Sequence, residues 1–361
     1  MTDESYIQLA LEIAKKGMGS VSPNPLVGCI IIKEDRIIGA GYHEKYGENH
    51  AEINAINSAK ESVEGANLYL NLEPCSHQGL TPPCVDKIIE KKIKKVVVGT
   101  KDMNPLVSGN GIKKLKNSGV EVKVGVLEKD CIELNKFFFK YITKKLPYVS
   151  LKAAQTLDGK IADIKGDSKW ISSLQSRRSV HQLRSRYDAV MVGLKTVVKD
   201  NPNLTVRLTE GRNPKRIFLD TKLKLSADHK LYNNNFDKNL FVITSKTSVA
   251  KKRKIKKLQS KGVQVIFVKE EKGRLNIKSA LKELAKNKIT SVLVEGGSEI
   301  FTSFIKQNLF DDIFLFISPK LLGSGLPLVE DLGIKKITSA LKIKFGNVEK
   351  IGDDVLLELV K

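Results

Sequence analysis

Several residue types are scarce in this chain, and each scarcity excludes a class of protein. Only four of the 361 residues are cysteine, which does not favour a disulfide-stapled secreted framework. No apolar run approaches the length needed to cross a bilayer, and the N-terminal segment MTDESYIQLALEIAKKG lacks the pattern of a secretory or transit peptide. We therefore expect a cytoplasmic protein with no membrane partner.

Aromatic residues are also few, at 6%, and they are not interleaved with the basic residues as in single-strand nucleic-acid binders. The formal net charge is nevertheless +22, most of it in the second half of the chain. Lysines are scattered there among acidic and apolar residues, which is typical of solvated helix faces. We expect no nucleic-acid partner, although a basic half favours phosphorylated substrates and cofactors.

Length and pattern predict two α/β domains. A chain of 361 residues with 41% hydrophobic content can form two packed cores. Residues 1–145 alternate helical and strand patterns, which predicts an α/β/α sandwich on a central sheet. Pro147 follows a helical stretch, and a further succession of strands and helices begins after it. We predict domains at 1–145 and 146–361.

Three potential zinc ligands and one spare carboxylate lie in the first domain. They are His50, Cys75 and Cys84, with Glu52 two residues after the histidine. A structural zinc site uses four protein ligands, whereas one imidazole and two thiolates leave a position open for water. Zinc lowers the pKa of that water toward neutrality, and Glu52 can shuttle its protons. The pattern therefore predicts a catalytic site.

The local context strengthens this prediction beyond the weak H-x-E pattern alone. Cys75 follows the apolar strand pattern ANLYLNL, and Cys84 follows Pro83 at the predicted start of a helix, where the dipole favours a thiolate. This arrangement is typical of zinc-dependent nucleoside and nucleobase deaminases. Eight residues separate the cysteines, however, instead of the common two. That spacing argues against a generic cytidine or tRNA-adenosine deaminase.

The first half resembles one deaminase family in particular. The segments SPNPLVGCIII, HAE, EPCSHQGLTPPC and NPLVSGNGI together resemble the deaminase half of the bifunctional riboflavin-biosynthesis deaminase/reductase family. The resemblance implies a cytidine-deaminase-like fold and hydrolytic deamination of 2,5-diamino-6-(5-phosphoribosylamino)pyrimidin-4-one. It also implies that Glu52 is catalytic and that Asn24, His43 and His77 contact substrate. Leu80 and Met103 depart from the family pattern, and Leu80 replaces an expected Lys or Arg.

A strand, a glycine pair and a helix follow one another in SVLVEGGSEIFTSFI in the second half. Such a turn lets the backbone approach a phosphate at free helix N–H groups, or it is only a tight connection. It is not the G-x-G-x-x-G fingerprint of an ordinary Rossmann domain. Together with LKAAQTLDGKIA, SKWIS and VGLKTVVKDNPNLTVR it resembles the reductase half of the same family. The resemblance implies a dihydrofolate-reductase-like fold, NADPH as cofactor and reduction of the ribosyl chain to ribityl.

The residues carried over from the reductase resemblance form two sets. The implied cofactor contacts are Ala154, Trp170, Thr196, Asp200, Thr221, Gly297, Ser298, Glu299, Ile300, Phe301, Thr302 and Ser303. The implied substrate contacts are Ser168, Arg184, Leu204, Arg207 and Glu295. Thr221 is a weaker match, and Lys195 is an unusual residue in its segment.

These residue types suit a small phosphorylated pyrimidine. Arg184 and Arg207 can hold a sugar phosphate by charge-assisted hydrogen bonds, and Glu295 can bind sugar hydroxyls or position the reacting carbon. Lys152, on the first strand of the second half, faces either the active site or solvent. No side chain is an obvious general acid.

Two other functions are compatible with parts of the sequence. One is a nucleic-acid deaminase whose basic second domain binds RNA, against which the spacing of the cysteines counts. The other is a regulatory protein with a degenerate metal site, against which the intact Glu52 counts. We also expect the chain to form a homo-oligomer.

Overall fold

The chain forms two compact units, Met1–Leu146 and Pro147–Lys361. A computed structural model describes residues 1–105 and 107–361, so Leu106 of the NPLVSGNGI segment lies outside the described residues. Within those ranges, no helix combines the length and the apolar character required to span a bilayer.

The first unit is a five-stranded sheet covered by helices. Its sheet order is β2-β1-β3-β4-β5, with β1 antiparallel to both neighbours and β3, β4 and β5 parallel. The elements are α1 (Asp3–Ala14), β1 (Gly28–Lys33), β2 (Arg36–Tyr42), α2 (Ala51–Ser58), β3 (Asn67–Leu72), α3 (Cys84–Glu90), β4 (Lys95–Thr100), α4 (Asn110–Asn117), β5 (Glu121–Val124), α5 (Glu128–Leu134) and α6 (Lys136–Lys144).

Both faces of this sheet are buried, as expected for central strands made of continuous apolar residues. On one face Leu68 and Val98 belong to a core that includes residues of α2, α3 and α4. On the other, Tyr69 and Val97 pack with residues of α1 and α5. The predicted α/β/α sandwich is confirmed.

The second unit is built on a nine-stranded sheet. Its elements are β6 (Tyr148–Thr156), β7 (Lys160–Ala162), α7 (Leu174–Arg186), β8 (Ala189–Gly193), α8 (Leu194–Asp200), β9 (Lys215–Leu219), α9 (Lys230–Asn233), β10 (Leu240–Ser245), α10 (Lys252–Ser260), β11 (Gln264–Val268), β12 (Glu270–Glu271), β13 (Arg274–Leu275), α11 (Ile277–Lys286), β14 (Ser291–Glu295), α12 (Ser298–Lys306), β15 (Asp312–Ser318), β16 (Leu326–Pro327), β17 (Lys344–Ile351) and β18 (Asp354–Val360).

The strand order of this sheet is β11-β10-β9-β8-β14-β6-β15-β18-β17. The first seven strands are parallel, and β18 and β17 are antiparallel. The carboxyl ends of the adjacent strands β9, β8, β14 and β6 therefore lie at one edge, where ligands of open α/β sheets bind. Thr221, Thr196 and Glu295 lie at or just beyond these strand ends.

The chain ends in a long antiparallel hairpin. β17 has eight residues and β18 has seven. Asp354, at the start of β18, is only 1% exposed and accepts hydrogen bonds from Ser173 N at 2.7 Å and Ser176 Oγ at 2.6 Å. The hairpin is thereby attached to the N-terminus of α7.

Candidate active sites

The three predicted zinc ligands lie together in the first unit. Nδ1 of His50 is 3.5 Å from Sγ of Cys75 and 3.3 Å from Sγ of Cys84. His50 is the residue that precedes α2, Cys75 follows β3, and Cys84 is the first residue of α3. Two helix starts and one strand end therefore bring the ligands to one point.

This donor set fits a zinc ion. The three ligand atoms all lie within 4.8 Å of one another. Tetrahedral zinc bonded at about 2.3 Å to sulfur and about 2.0 Å to nitrogen requires ligand atoms roughly 3.5–4 Å apart. With three protein donors, a fourth position is left for water or substrate.

The two thiols are electrostatically different. Cys75 accepts hydrogen bonds from the side chain of Cys84 and from its backbone N–H, the latter at 3.3 Å. These bonds and the nearby His50 lower the pKa of Cys75 to about 4. The contact with Cys75, together with burial, raises the pKa of Cys84. A bound cation would favour ionisation of both thiols.

Glu52 is the second residue of α2 and is 3% exposed. Its Oε2 atom has no hydrogen-bond partner within the described part of the chain. Burial and the nearby Cys75 raise the pKa of Glu52 to about 7. The carboxyl group can therefore both accept and release a proton near neutral pH.

Asn24 and His43 are hydrogen-bonded to each other beside this site. Nδ1 of His43 lies 2.9 Å from the carbonyl oxygen of Asn49, to which it donates, so Nε2 accepts from Nδ2 of Asn24 at 3.0 Å. The imidazole packs edge-on against His50, with ring centroids 5.3 Å apart. Burial lowers the pKa of His43 and keeps the ring neutral.

The loop between the two cysteines is mostly exposed. Within it, His77 is exposed and is not part of the buried cluster, and Leu80 is 73% exposed. Thr81 lies closer, with Oγ1 3.5 Å from Nε2 of His50. Met103, the other departure from the family pattern, is 39% exposed in the loop after β4.

A buried ion pair forms the centre of the second site. Nε and Nη2 of Arg184 donate to the two carboxylate oxygens of Glu295 at 2.6 and 2.8 Å, and Nη1 donates to the carbonyl of Thr205 at 3.2 Å. Burial opposes ionisation, but Arg184 lowers the pKa of Glu295 to about 2. Glu295 occupies the bidentate face of Arg184 in this structure, and the predicted contact of Arg184 with a sugar phosphate stays a prediction.

Lys152 lies beside this pair, in register with Glu295 on the neighbouring strand β14. Its ammonium group is 5.8 Å from the centre of the Phe316 ring. Burial and the neighbouring Arg184 lower the pKa of Lys152, although Glu295 opposes this. The side chain therefore belongs to the site rather than to a solvated surface.

Arg207 and Leu204 belong to the loop after α8. Nη1 of Arg207 donates to Oγ1 of Thr205 at 2.8 Å, and its backbone N–H donates to Nδ1 of His181 at 2.8 Å. Leu204 is 3% exposed and has a left-handed backbone with φ 55°, so a ligand could reach its backbone more easily than its side chain. His181 thus fixes the segment that carries Arg207.

The predicted cofactor segment 297–303 contains free backbone amides, one buried aromatic side chain and two hydroxyls that are hydrogen-bonded within the helix. Gly297 precedes α12, and the first amides of the helix, at residues 298–300, are oriented toward its N-terminus, where an anion binds. Phe301 has 0% exposure and its N–H donates to Gly297 O, so it does not fit a direct contact. The hydroxyls of Thr302 and Ser303 donate to carbonyls within the helix.

The remaining predicted contacts are spread along the same edge. Trp170 is 63% exposed, with the Arg177 guanidinium 3.9 Å from its ring centre. Asp200 ends α8, and burial raises its pKa. The unusual Lys195 pairs with Glu299 at 2.8 Å. Ser168, Ala154, Thr196 and Thr221 are each partly buried.

Sequence reasoning missed several residues of these sites. His181 is spaced three residues before Arg184 on α7, a helical spacing that could have revealed it. Asp102 follows β4, whose parallel neighbour β3 leads to Cys75, so adjacent strand ends were the available signal. Glu73 stands directly before Pro74 and Cys75 and was not singled out.

The two units match two family models. Residues 1–100 match the cytidine and deoxycytidylate deaminase zinc-binding region, and residues 147–357 match the RibD C-terminal domain. These two matches, with the zinc-ligand cluster and the second site, define a bifunctional enzyme that is both a deaminase and a reductase. The expected zinc and NADPH chemistry agrees with these two domains.

Full-length relatives narrow the class to one family. The chain is 48% identical to the riboflavin biosynthesis protein RibD of Aquifex aeolicus, covering 98% of this chain and 97% of the relative. It is 35% identical to RibD of Escherichia coli, with 100% of both chains covered. The chain belongs to the RibD family of riboflavin biosynthesis proteins.

A solved structure from Thermotoga maritima is similar throughout. That protein is described as a diaminohydroxyphosphoribosylaminopyrimidine deaminase/5-amino-6-(5-phosphoribosylamino)uracil reductase. It is 43% identical to this chain, with a TM-score of 0.87 over 99% of this chain and 98% of the other. The prediction of a bifunctional deaminase and reductase is confirmed.

Proposed function

We propose that residues 1–145 deaminate 2,5-diamino-6-(5-phosphoribosylamino)pyrimidin-4-one and that residues 146–361 reduce the product to 5-amino-6-(5-phosphoribitylamino)uracil. The observation that carries the first step is the cluster of His50, Cys75 and Cys84 beside the buried Glu52 carboxylate. The observation that carries the second is the buried group formed by Lys152, Arg184 and Glu295.

In the deamination, Glu52 moves the protons. His50, Cys75 and Cys84 would hold a zinc ion, which when bound would make a water molecule acidic near neutral pH. Glu52 accepts a proton from the attacking water and delivers it to the amino group of the ring, which leaves as ammonia. Its pKa of about 7 suits both halves of this transfer.

Asn24, His43 and His77 are the proposed substrate contacts of this step. The Asn49 carbonyl fixes the His43 ring, and Asn24 is held by that ring, so both side chains are oriented before substrate arrives. Leu80 offers no charge to the substrate phosphate. We therefore assign phosphate recognition in this unit to groups other than residue 80.

When bound, NADPH would supply the hydride for reduction of the sugar carbon that is bonded to the exocyclic nitrogen. The bond from that carbon to the ring oxygen opens, and the oxygen needs a proton. Arg184 does not titrate, and the pKa of about 2 keeps Glu295 ionised. Lys152, whose pKa is lowered by burial, is the member of this group suited to donate the proton. Arg207 binds the substrate phosphate and Glu295 the sugar hydroxyls.

The other proposed ligand contacts of the reductase follow the edge of the sheet. Ser168 and the Leu204 backbone contact substrate. The residues that would hold the cofactor are Ala154, Trp170, Thr196, Asp200, Thr221 and, at the start of α12, Gly297, Ser298, Glu299 and Ile300.

Exchange of Glu52 for glutamine tests the assignment of two separate sites. The amide fills the same space but cannot carry a proton, so ammonia release should fall by at least about a hundredfold. We expect zinc content and NADPH-dependent reduction of the separately supplied deaminated intermediate to stay unchanged. Loss of both activities, or full retention of ammonia release, would sink the assignment.

We further propose that copies of the chain associate through an apolar surface near the C-terminus. Leu321, Ile337, Phe345 and Val348 are exposed by 77%, 89%, 70% and 58%. β17 is also an edge strand of the described sheet and is exposed along most of its length. Such edges and patches are usually covered in native assemblies. Sedimentation analysis of the wild type against a Phe345→Asp, Val348→Asp double variant tests this, since the variant should sediment as a smaller species.

A cytoplasmic location is the last part of the proposal. All four cysteines are free thiols, and two of them are the proposed zinc ligands, which requires a reducing compartment. Cell fractionation with a tagged chain would test it.

A further inference from the structure

Glu73 is a buried carboxylate whose hydrogen bonds within the described part of the chain all come from backbone amides. Oε2 accepts from the N–H groups of Asp102 at 3.2 Å and Gly109 at 2.9 Å. Oε1 accepts from Gly111 at 3.0 Å and Ile112 at 3.2 Å. Glu73 is 4% exposed. One side chain thus satisfies four main-chain donors from another part of the unit.

Two of these donors belong to the first turn of α4. Helix N-termini carry amides without intrahelical partners, which are usually satisfied by the side chain of the residue before the helix. That residue is Gly109, which has a left-handed backbone with φ 78° and no side chain. The Glu73 carboxylate replaces the missing cap from across the unit, and the helix dipole favours its negative charge.

The other two donors bracket the loop between β4 and α4. Asp102 is near the start of this loop and Gly109 is at its end, and both donate to the same oxygen atom. A loop closed at both ends on one atom loses much of its conformational freedom. Glu73 therefore fixes the positions of Asp102 and Gly109, one near each end of this loop.

Glu73 and the start of α4 both lie next to the strand end that carries Cys75. Glu73 is two residues before Cys75, and its own N–H donates to the Thr100 carbonyl at 3.0 Å. A Cβ atom added at Gly111 would lie 2.2 Å from the carbonyl oxygen of Pro74. The start of α4 thus packs against the peptide next to a zinc ligand, without room for a methyl group.

We propose that Glu73 is a positioning residue for the deamination, which holds Asp102 and the start of α4 against the segment that carries Pro74 and Cys75. The inference rests on the proposed deaminase function. Glu73 touches neither the metal nor the reacting atoms in this assignment. Its effect is exerted on substrate binding through the loop, and zinc binding depends on His50, Cys75 and Cys84 instead.

The test uses the full-length, zinc-loaded enzyme with Glu73 replaced by glutamine. The glutamine amide keeps the shape of the side chain, but its NH₂ group cannot accept hydrogen bonds from the backbone N–H groups. About half of the four hydrogen bonds are therefore lost. We expect KM of the deaminase for its diaminopyrimidinone substrate to rise about tenfold while kcat changes by less than about threefold. Zinc stoichiometry and reduction of the separately supplied intermediate should not change. Glu90→Gln, an exposed carboxylate change in α3, is the matched control and should be silent.

Hydrogen exchange gives a readout that is independent of turnover. The amides of Asp102, Gly109, Gly111 and Ile112 should exchange faster in Glu73→Gln, whereas amides of β3 and β4 should not. Gly111→Ala provides a second variant that leaves Glu73 intact but forces α4 away from Pro74. The Gly111→Ala variant should also raise the KM of the deaminase for its diaminopyrimidinone substrate.

Three results would overturn the proposal. The first is an unchanged KM in Glu73→Gln, whatever the exchange rates. The second is loss of zinc together with activity, which would make Glu73 a support of the metal site. The third is an equal loss of reduction, which would mean general misfolding. Ammonia release by the wild-type enzyme is measured first. If the wild type releases no ammonia from this substrate, the proposed function itself is wrong.

Discussion

Two buried glutamates show how far the surroundings determine the chemistry of one side chain. Glu52 is buried and forms no ion pair with Lys or Arg among the described residues, and burial raises its pKa to about 7. Glu295 is largely enclosed, at 12% side-chain exposure, but the bidentate Arg184 holds its pKa at about 2. The first can carry protons in the neutral range, whereas the second is a permanent negative charge. This difference assigns proton transfer to one site and electrostatic orientation to the other.

The lowered pKa of Lys152 predicts a pH dependence of the reductase step. A proton donor works only while it is protonated, so the rate should fall as pH rises through the pKa of Lys152. Because burial lowers that pKa, the fall should begin below the value of about 10.4 of an ordinary lysine. Initial rates of NADPH oxidation against pH, with the deaminated intermediate as substrate, measure it.

Lys152→Arg separates charge from proton donation. Arginine keeps the positive charge near Glu295 but does not release a proton in this range, so reduction should fall by about a hundredfold or more. Deamination in the same preparation serves as the internal control. Retention of the alkaline fall in this variant would assign it to another group.

At the residue scale, the sequence predicted what depends on residue type and spacing. His50, Cys75 and Cys84 were identified because few other residue types bind zinc in such a pattern. The Arg184–Glu295 pair was not, since the two residues are distant in the chain and only the parallel pairing of the second sheet brings α7 to the end of β14. The four amides around Glu73 carry no sequence signal at all.

At the scale of elements, helix starts do most of the positioning. His50 immediately precedes α2, Cys84 begins α3, and Gly297 immediately precedes α12. Apolar spacing predicted these helices well. It did not predict that the helical stretch after residue 127 breaks at Asn135, whose side chain accepts from Leu26 N at 2.7 Å and donates to Leu26 O. The contact between Asn135 and Leu26 ends that helix, and the local sequence pattern does not predict a contact between residues so far apart in the chain.

The attachment of the C-terminal hairpin to α7 predicts a stability effect. Asp354→Ala leaves the Ser173 N–H and the Ser176 hydroxyl without their acceptor in a buried position, which should cost about 1–3 kcal/mol of the free energy of unfolding. Chemical denaturation monitored by circular dichroism measures this.

Asp353→Ala is the matched control for this prediction. Asp353 is the adjacent residue and is exposed, so its loss should change the free energy of unfolding by less than about 0.5 kcal/mol. Equal effects of the two variants would contradict the buried attachment.

At the scale of the whole molecule, composition predicted the two cores but not the surfaces. Each unit has its own sheet, as the alternation of strand and helix patterns implied. The net charge of +22 is distributed over many exposed lysines, several of which pair locally, as Lys257 does with Asp228 at 2.6 Å. The exposed apolar surface near the C-terminus could not be separated from core residues by pattern, because its strands alternate like any half-buried strand.

The exposed edge strand β17 links stability to concentration. If copies of the chain cover Phe345 and Val348 in one another, association stabilises the folded form by mass action. The midpoint of thermal unfolding should then rise with protein concentration in the wild type and be constant in the Phe345→Asp, Val348→Asp double variant. Scanning calorimetry over a roughly hundredfold dilution series measures this midpoint. A cell that lowers the level of this enzyme would also lower the thermal tolerance of each copy, so expression level and heat sensitivity become coupled quantities.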